Sequence, residues 1–179
     1  DRPDDRIGLV VFAGESYTQS PLTTDKAALQ TLLSQVEFGV VEDGTAIGMG
    51  LATAINRLRE SDAKSKVIIL LTDGVNNTGQ VAPMSAAEIA AEYGIKVYTV
   101  GVGRRGYAPY PYYDAWGNLR YQQQLVEIDE QALTDIAAKT GGEYFRATDK
   151  NTLRDVYAKI NELEKTRIET DNYTRHTEH

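Results

Sequence analysis

The sequence predicts an α/β fold in which a mostly parallel central sheet is flanked by helices. Apolar, β-branched runs at residues 66–71 and 96–102 alternate along the chain with segments of helical period. Because these runs are apolar throughout, and not only at every second position, they are typical of strands buried on both faces. With 179 residues the chain is large enough for one domain with a single core. We expect that domain in residues 1–165, followed by a polar tail or linker in residues 166–179.

Two strands and a helix are predicted before the first long loop. Residues 7–12 form an apolar run that predicts a buried strand, and residues 16–20 predict a shorter strand after a turn at Gly14. Thr24 or Asp25 then precedes a helix as its N-cap. The apolar face of this helix has the spacing i, i+3, i+4 and i+7, at Leu29, Leu32, Leu33 and Val36.

The rest of the chain repeats this alternation of strands and helices. Gly94 follows the third helix as its C′ residue, and Asp129 precedes the fourth as its N-cap. Gly141-Gly142 closes the fourth helix. Residues 143–146 predict a short strand, which precedes the last helix. Helical spacing of apolar residues recurs in residues 47–58, 86–93, 133–137 and 153–163.

Charge and composition disfavour several classes of protein. The formal net charge of −7 and the pI near 4.9 are unlike those of a nucleic-acid binder, which usually presents a basic face. The chain has no cysteine, so it offers neither a disulfide framework nor a thiolate metal site. Its apolar runs are far shorter than the ~20 residues of a membrane-spanning helix, and its N-terminus does not resemble a signal peptide. We therefore expect a soluble chain, which is compatible with its being part of a longer protein.

An aspartate stands where the apolar strand at residues 66–71 ends, in the stretch VIILLTDGVNN. Ligands of open α/β sheets bind beyond the carboxyl ends of the strands, which is where Asp73 is expected. Thr45 lies in VVEDGTAIGMG, just before the second helix. Each residue also has a structural interpretation, Asp73 as a turn residue that caps the next segment and Thr45 as a helix cap. If the two loops share an edge of the sheet, the hydroxyl and the carboxylate together suit Mg²⁺ or Mn²⁺.

Four blocks of the sequence, RIGLVVFAG, DGTAIG, KVIILLTDG and IKVYTVGVG, resemble successive blocks of a von Willebrand factor A domain. The resemblance covers residues 6–165 and implies a Rossmann-like fold. More narrowly, the sequence is similar to the bacterial aerotolerance (Bat) family, and most of all to its BatA-like members. The segments that carry this similarity are VEDGTAIGMGLATAINRL, GYAPYP, EIDEQALTDIAAKTGGEYFRATD and ELEKTRIE.

The resemblance implies a metal-ion-dependent adhesion site (MIDAS) that binds Mg²⁺ or Mn²⁺. Thr45 matches the threonine of the family's motif, and Asp73 matches its later aspartate, which often reaches the metal through water. In the family, a carboxylate of the partner protein completes the coordination of the metal. The domain is anchored in the inner membrane there, and we expect it on the periplasmic side. The partners that the resemblance implies are a MoxR-type AAA+ ATPase and sibling A-domain proteins.

The family's leading Asp-x-Ser-x-Ser motif has no counterpart in these 179 residues. In the family this motif ends the first strand, so we expect the chain to lack the first strand and helix of the fold and to hold an incomplete metal site. That strand is central in the family's sheet, and its place requires another occupant. Three arrangements are open: direct pairing of residues 7–12 with residues 67–71, a strand swapped or added from another copy in an oligomer, or an upstream segment outside this sequence.

An aromatic insert spans residues 106–124. Its stretch YDAWGNLRY, residues 113–121, is predicted to form a hairpin with its turn at residues 117–118. The start of the insert overlaps the pattern Gly-x-Gly-x-x-Gly at residues 101–106, which matches a dinucleotide fingerprint. Pro109 and Pro111 disfavour the helix that such a fingerprint requires. The aromatic rings either pack against each other and the sheet edge or form an exposed surface for a protein partner. In the second case we expect the partner to contact Tyr110, Tyr112, Tyr113 and Trp116.

Enzymatic interpretations have little support in the sequence. Both histidines, His176 and His179, lie in the polar tail, and no Gly-x-Ser-x-Gly motif is present. The alternative that stays open is a Mg²⁺-dependent phosphotransfer or phosphatase-like domain that uses Asp73. Such a site needs an acidic cluster, for which Glu42 and Asp43 are the candidate residues, although acidic residues of this kind more often keep a loop hydrated. The interpretation we favour is a non-catalytic, metal-dependent protein-interaction module.

Overall fold

The computed structural model describes residues 4–37, 42–103 and 106–177, and within these ranges only the backbone of Ala108, Val126 and residues 166–177. The strands and helices follow each other in the predicted order. They are β1 (Ile7–Phe12), β2 (Ser16–Thr23), α1 (Lys26–Ser34), α2 (Ile47–Arg59), β3 (Lys66–Thr72), α3 (Pro83–Glu92), β4 (Ile95–Val102), β5 (Gly106–Tyr113), β6 (Leu119–Val126), α4 (Glu130–Lys139), β7 (Tyr144–Ala147) and α5 (Lys150–Thr177).

A parallel sheet with the strand order β3-β4-β7 forms the centre of the fold. Its first pair runs in unbroken register from Lys66 opposite Ile95 to Thr72 opposite Gly101. Two antiparallel pairs, β1-β2 and β5-β6, form separate sheets. The predicted α/β fold, with a parallel sheet flanked by helices, is therefore confirmed.

Both faces of the parallel sheet are covered by helices. On one face Ile68, Leu70 and Val97 pack in a cluster with residues of α2, α3 and α4. On the other face Tyr98 and Val100 pack with residues of α5 and β7. Because successive residues of a strand point to opposite faces, burial on both sides explains why β3 and β4 are apolar at almost every position.

Strand β1 lies apart from the parallel sheet. Within the described residues β1 pairs only with β2, and β3 pairs only with β4, so the direct pairing of β1 with β3 considered above is wrong. Helix α2 packs against the β1-β2 pair and also against β3 and β4 of the parallel sheet. The contact with β1 is close, because a Cβ added to Gly50 of α2 would lie 2.8 Å from the ring of Phe12. The burial predicted for β1 is also wrong, since Ile7 is 43% exposed and the rest of the strand is exposed or half-buried. With β2 on one edge alone, β1 lacks the cover that a central strand receives.

The helix ends follow the chemistry of their flanking residues. Asp25 caps α1 and Asp129 caps α4, each accepting a hydrogen bond of 2.9 Å from the backbone N–H three residues further on. Gly94 has a φ of +65° just after α3, the left-handed conformation in which glycine commonly ends a helix. Helix α1 ends at Ser34, so Val36, which was predicted on its apolar face, lies beyond the helix.

The last helix is longer than the apolar pattern predicts. Val156 and Ile160 anchor its first half against the sheet. Residues 166–177, predicted as a polar tail or linker, continue α5 as helical backbone up to Thr177. The division of the chain at residue 165 into a domain and a tail stays a prediction.

Candidate metal site and aromatic hairpin

Three loops meet at the carboxyl edge of the strands. The Ala46 N–H donates to the Ala13 carbonyl at 2.7 Å, and the Gly14 N–H donates to the Glu42 carbonyl at 2.7 Å. A Cβ on Gly14 would lie 2.7 Å from that same Glu42 oxygen, so only glycine allows this close approach. The turn after β1 is thereby joined to the loop before α2, and the carboxyl end of β1 lies beside the start of that helix.

The loop before α2 also contacts the loop after β3, which carries the other predicted ligand. The Thr45 N–H donates to Asn77 Oδ1 at 2.8 Å, and the Asn77 N–H donates back to the Thr45 carbonyl at 3.1 Å. The Thr45 hydroxyl oxygen lies 3.0 Å from the position that a Cβ would take on Gly74, the residue after Asp73. The structure therefore brings the loops of the two predicted metal ligands together.

Asparagine side chains, and not the Thr45 hydroxyl, accept the hydrogen bonds of backbone N–H groups at the start of α2. The Ile47 N–H donates to Asn76 Oδ1 at 2.9 Å. Ala46, at the N-cap position, has only a methyl side chain, which cannot accept a hydrogen bond. The Thr45 hydroxyl makes no hydrogen bond with the part of the chain that the structure describes, so its interpretation as a helix cap is wrong. Asn76 could not be found from local capping rules, because it lies 29 residues away from Ile47 along the chain.

Asp73 is exposed at the end of β3. The turn there is held by buried Thr72, whose hydroxyl accepts a hydrogen bond of 3.2 Å from the Gly74 N–H. Among the described residues the Asp73 carboxylate has no hydrogen-bond or ion-pair partner, so it does not cap the segment that follows, as the structural interpretation expected. The carboxylate is free to face a ligand from outside this part of the chain.

The donors at this edge have the chemistry that Mg²⁺ and Mn²⁺ prefer, a hydroxyl and a carboxylate, but they are few. Glu42 and Asp43 are exposed on the neighbouring loop. Across the ranges that the structure describes, three or more His, Asp or Glu side chains do not come close enough to form a metal cluster of their own. An octahedral ion would therefore need further ligands beyond those that Thr45 and Asp73 supply.

The aromatic insert is a hairpin that begins just beyond the carboxyl end of β4. Asp114 holds its turn, because its Oδ1 accepts hydrogen bonds from the backbone N–H groups of Trp116 at 3.0 Å and Asn118 at 2.9 Å. Together with the Arg120 guanidinium, these bonds lower the pKa of Asp114 below its ordinary value, the N–H of Asn118 contributing most. A strand, and not a helix, begins at Gly106, the last glycine of the Gly-x-Gly-x-x-Gly pattern. The pattern is therefore not a dinucleotide fingerprint.

The two faces of the hairpin separate the predicted partner residues. Residues paired across an antiparallel ladder share a face, and faces alternate along each strand. Tyr110 and Tyr112, opposite Gln122 and Arg120, therefore lie on one face, and Tyr113 lies on the other. The face of Tyr113 is the more apolar one, and alternation within the strands could have shown this from the sequence. Its members, which we call the apolar hairpin face, are Tyr107, Pro109, Pro111, Tyr113, Leu119, Tyr121 and Leu125.

The rings of the insert are exposed. Trp116, at the turn, is 85% exposed, and the three predicted tyrosines are each at least 45% exposed. The alternative in which these rings pack against the sheet edge is therefore wrong for the described structure. Neither face of the hairpin is covered by another described element.

A half-buried arginine, which local sequence patterns do not single out, ties the root of the hairpin to the body of the domain. Arg146 of β7 donates to the Gly103 carbonyl through Nε at 3.1 Å and Nη2 at 2.8 Å. Its Nη1 donates to Glu130 Oε1 at 2.6 Å, so both ends of the guanidinium are engaged. The direction in which the chain leaves β4 is thereby set by a side chain that lies 43 residues further on.

The parallel sheet, its flanking helices and the loops that meet at its carboxyl edge define an open α/β domain, a class whose members bind ligands at that edge. The chain belongs to the von Willebrand factor type A domain family, whose family model matches residues 1–159. An uncharacterised protein of Borreliella burgdorferi is 30% identical to it over 176 residues, which make up 96% of this chain and 51% of that protein.

Two solved structures of Bat-type proteins share the fold. BatB from Bacteroides thetaiotaomicron superposes with a TM-score of 0.75 at 29% identity, over 90% of this chain and 80% of that one. An aerotolerance-related membrane protein from Bacteroides fragilis gives a TM-score of 0.72 at 27% identity, with the same coverage. These similarities confirm the resemblance to Bat-family A domains. The chain spans about half the length of the curated relatives that it matches.

No helix in residues 4–37, 42–103 and 106–177 combines the length and the apolar character needed to cross a lipid bilayer. The Bacteroides fragilis neighbour is itself described as a membrane protein. Domains of this family act in general as protein-interaction modules, commonly with a divalent metal, and are generally not catalysts.

Proposed function

We propose that this chain is a non-catalytic protein-interaction module whose binding depends on Mg²⁺ or Mn²⁺, held in part by Thr45 and Asp73. The observation that carries the proposal is the position of the Thr45 hydroxyl against Gly74, beside an exposed Asp73 carboxylate without an internal partner in the described chain. Membership of the A-domain family and the similarity to Bat-type proteins support the same function.

At this edge Thr45 supplies a neutral oxygen and Asp73 a negative one, the latter directly or through water. The remaining ligands come from an upstream Asp-x-Ser-x-Ser segment and from an acidic side chain of the partner. A bound divalent ion supplies positive charge that attracts a carboxylate, and this makes the interaction specific for acidic partners. The Asn76 and Asn77 contacts orient the loops on which both ligands lie.

The aromatic hairpin forms the second part of the partner surface, because it begins just beyond the same carboxyl edge of the sheet. Tyr110, Tyr112, Tyr113 and Trp116 offer large, exposed rings that bury much area at little cost in rotamer freedom. By similarity to the Bat family, the partners are a MoxR-type AAA+ ATPase and sibling A-domain proteins. The whole protein is anchored in the inner membrane with this domain on the periplasmic side.

Calorimetry with Mg²⁺ on three proteins tests the metal site: the 179-residue chain, a longer chain that carries an upstream Asp-x-Ser-x-Ser segment, and the longer chain with Asp73→Ala. The short chain should bind Mg²⁺ only at about millimolar concentration, which corresponds to ~4 kcal/mol. The longer chain should bind at least about tenfold more tightly, which is a gain of ~1.4 kcal/mol, and Asp73→Ala should reverse most of this gain.

Asp62→Ala in the longer chain is the matched control, because Asp62 is an exposed aspartate on a different loop, just after α2. It should leave the affinity for Mg²⁺ unchanged. Equal affinities in all of the proteins would show that Asp73 is an ordinary surface residue. Incubation with acetyl phosphate and Mg²⁺ separates the alternative function, since a phosphotransfer domain would label Asp73 and an interaction module would give neither label nor turnover.

A further inference from the structure

The aromatic hairpin has little support from the rest of the domain. Within the described residues, β5 and β6 make extensive contact only with each other. A two-stranded hairpin is marginally stable by itself, and further strands or a packed face are needed to hold it. The hairpin nevertheless extends over eight residues in each strand, with the apolar hairpin face open. Its length and composition indicate that it is completed by something outside this chain.

The two edges of the hairpin are chemically different. Asp114 N–H donates to the Asn118 carbonyl at 3.0 Å, so this pair and every second pair below it form the hydrogen-bonded rungs of the ladder. Pro109 and Pro111 fall on the intervening pairs, where backbone groups point outward. The outer edge of β5 therefore lacks two of its N–H donors and resists pairing with another strand.

The outer edge of β6 has no such protection. By the same alternation, its outward N–H and C=O groups belong to four residues without a proline among them: Leu119, Tyr121, Gln123 and Leu125. The side chains of Leu119, Tyr121 and Leu125 belong to the apolar hairpin face, and Gln123 is the one polar side chain of β6 on that side. The side chains of Arg120, Gln122 and Gln124 lie on the opposite, polar face. An added strand must therefore alternate in the same way, with apolar residues on one face and polar residues on the other.

We propose that β6 pairs edge to edge with β6 of a second copy of this chain, antiparallel and centred on Gln122. In this register Leu119 lies opposite Leu125 of the second copy, and Arg120 lies opposite Gln124 of the second copy. Each leucine meets a leucine, and like charges do not face each other. A shift by two residues in either direction gives the next registers that keep the faces aligned, and it separates the leucine pairs, because it leaves Leu119 opposite Glu127 or opposite Gln123.

Pairing joins the two hairpins into one four-stranded antiparallel sheet. The apolar hairpin faces of both copies then form a single continuous surface, while β5, with its prolines, lies at each outer edge. The prolines limit growth beyond two copies, because the new outer edges are the ones that resist pairing. The contact is thus closed and twofold symmetric, as most homodimer contacts are.

A disulfide across the twofold axis tests this register directly. Gln122 lies opposite its own copy at a pair without ladder hydrogen bonds, where Cα atoms are about 4.5 Å apart, within the range that a disulfide spans. The natural chain has no cysteine, so Gln122→Cys introduces a single thiol. Under mild oxidation it should form a covalent dimer in most of the sample. Gln124→Cys, which lies opposite Arg120 of the second copy, should stay mostly monomeric on a non-reducing gel.

Proline at residue 123 tests the edge. The Gln123 N–H points outward, so Gln123→Pro removes a donor from the β6 edge and leaves the rungs to β5 intact, as Pro109 does on the other strand. The dissociation constant of the dimer, measured by light scattering, should rise about tenfold or more, because two ladder bonds per dimer are lost. Gln123→Thr, which keeps the N–H, should leave the dimer unchanged. In the combined variant Gln122→Cys with Gln123→Pro, the covalent dimer should be largely absent.

Circular dichroism must show the same folded signal for each variant, and chelation of divalent metal should not change the result. A monomer at all concentrations, with Gln122→Cys failing to form a covalent dimer, overturns the proposal. A covalent dimer that forms equally well with Gln123→Pro or at Gln124→Cys overturns it too, since its thiols would then meet by chance. An oligomer formed by a swapped strand beside β1 would fail to cross-link at Gln122 and is distinguished in the same way.

Discussion

The phenol of Tyr98, in the middle of β4, donates a hydrogen bond of 2.6 Å to the carboxylate of Glu164 on α5. The same carboxylate accepts from Ser65 Oγ at 3.3 Å and forms an ion pair with Lys96 Nζ at 3.1 Å. The Glu164 side chain is only 5% exposed, so this charge lies inside the domain with several partners. It joins α5 to the parallel sheet just before the polar end of that helix.

Glu164→Ala is expected to lower the free energy of unfolding by about 3–5 kcal/mol, because it leaves the largely buried Lys96 ammonium without its carboxylate. Urea denaturation measures the loss. The control is Lys159→Ala on the same helix, which breaks a surface pair of 3.8 Å and should change the free energy by less than ~0.5 kcal/mol. Equal effects of the two substitutions would mean that the buried pair contributes no more than a surface one.

Gly48→Ala should destabilise the domain, although alanine is the better helix former by ~1 kcal/mol. A Cβ on Gly48 of α2 would lie 1.9 Å from the Val81 carbonyl oxygen, which is a backbone atom that cannot move aside cheaply. We expect a loss of about 1–3 kcal/mol in urea denaturation. Ser85→Ala, an exposed position in α3, should stay within ~0.5 kcal/mol of the natural chain. A stabilising effect of Gly48→Ala would contradict the close helix contact.

Asp114 should titrate below its ordinary pKa of 3.8 in the folded hairpin. The hydrogen bonds that it accepts favour the charged form, the one from the Asn118 N–H most of all. Because its pKa is lowered in the folded state, the Asp114 carboxylate makes its full contribution to hairpin stability above its ordinary pKa. This contribution is lost as the pH falls through the lower pKa of the folded state. Carboxyl NMR shifts measure the titration, and Asp114→Asn should remove the acid-dependent change in hairpin amide shifts. A midpoint at or above 3.8 would contradict the turn geometry.

Trp116→Ala should weaken capture of a protein partner from membranes in the presence of Mg²⁺ and hardly change the melting temperature. The ring is 85% exposed, so its removal costs little packing, and we expect a shift of less than about 2 °C. Tyr93→Ala, at the end of α3, is the aromatic control and should change neither quantity much. A large drop in melting temperature with unchanged capture would show that Trp116 has a packing role.

Local patterns predicted the order of the elements because each depends on residues close in the chain. The caps at Asp25 and Asp129 and the glycine at Gly94 are examples, and so is the hairpin predicted at residues 113–121, although its strands extend further in the structure. The carboxyl-edge position of Asp73 followed from the same reasoning, because a strand end can be seen in the sequence.

Features that depend on distant residues could not be predicted in this way. Asn76 caps a helix that begins 29 residues before it, and Arg146 holds a carbonyl 43 residues away. The Glu164 network links α5 to β4 across 66 residues, as a charge that composition alone would place on the surface. The exposure of β1 likewise depends on which strands lie beside it. Its apolar sequence resembles that of a fully buried strand, so the sequence of β1 alone could not predict this exposure.

The separation of β1-β2 from the parallel sheet has a consequence for hydrogen exchange. In the described chain ladder bonds do not connect the two sheets, so the amides of β1 can open without breaking the parallel ladder between β3 and β4. In the described chain that opening is opposed by packing on α1 and α2, by side-chain hydrogen bonds such as that from Gln19 to the Leu32 carbonyl, and by the loop bonds near Ala13. Regions with few such restraints exchange by local excursions, while a two-sided core exchanges only on global unfolding. The Val10 amide should therefore exchange by a shallower opening than the Val100 amide, which lies in the parallel ladder opposite Leu71, and this makes β1-β2 a unit of lower local stability within one domain.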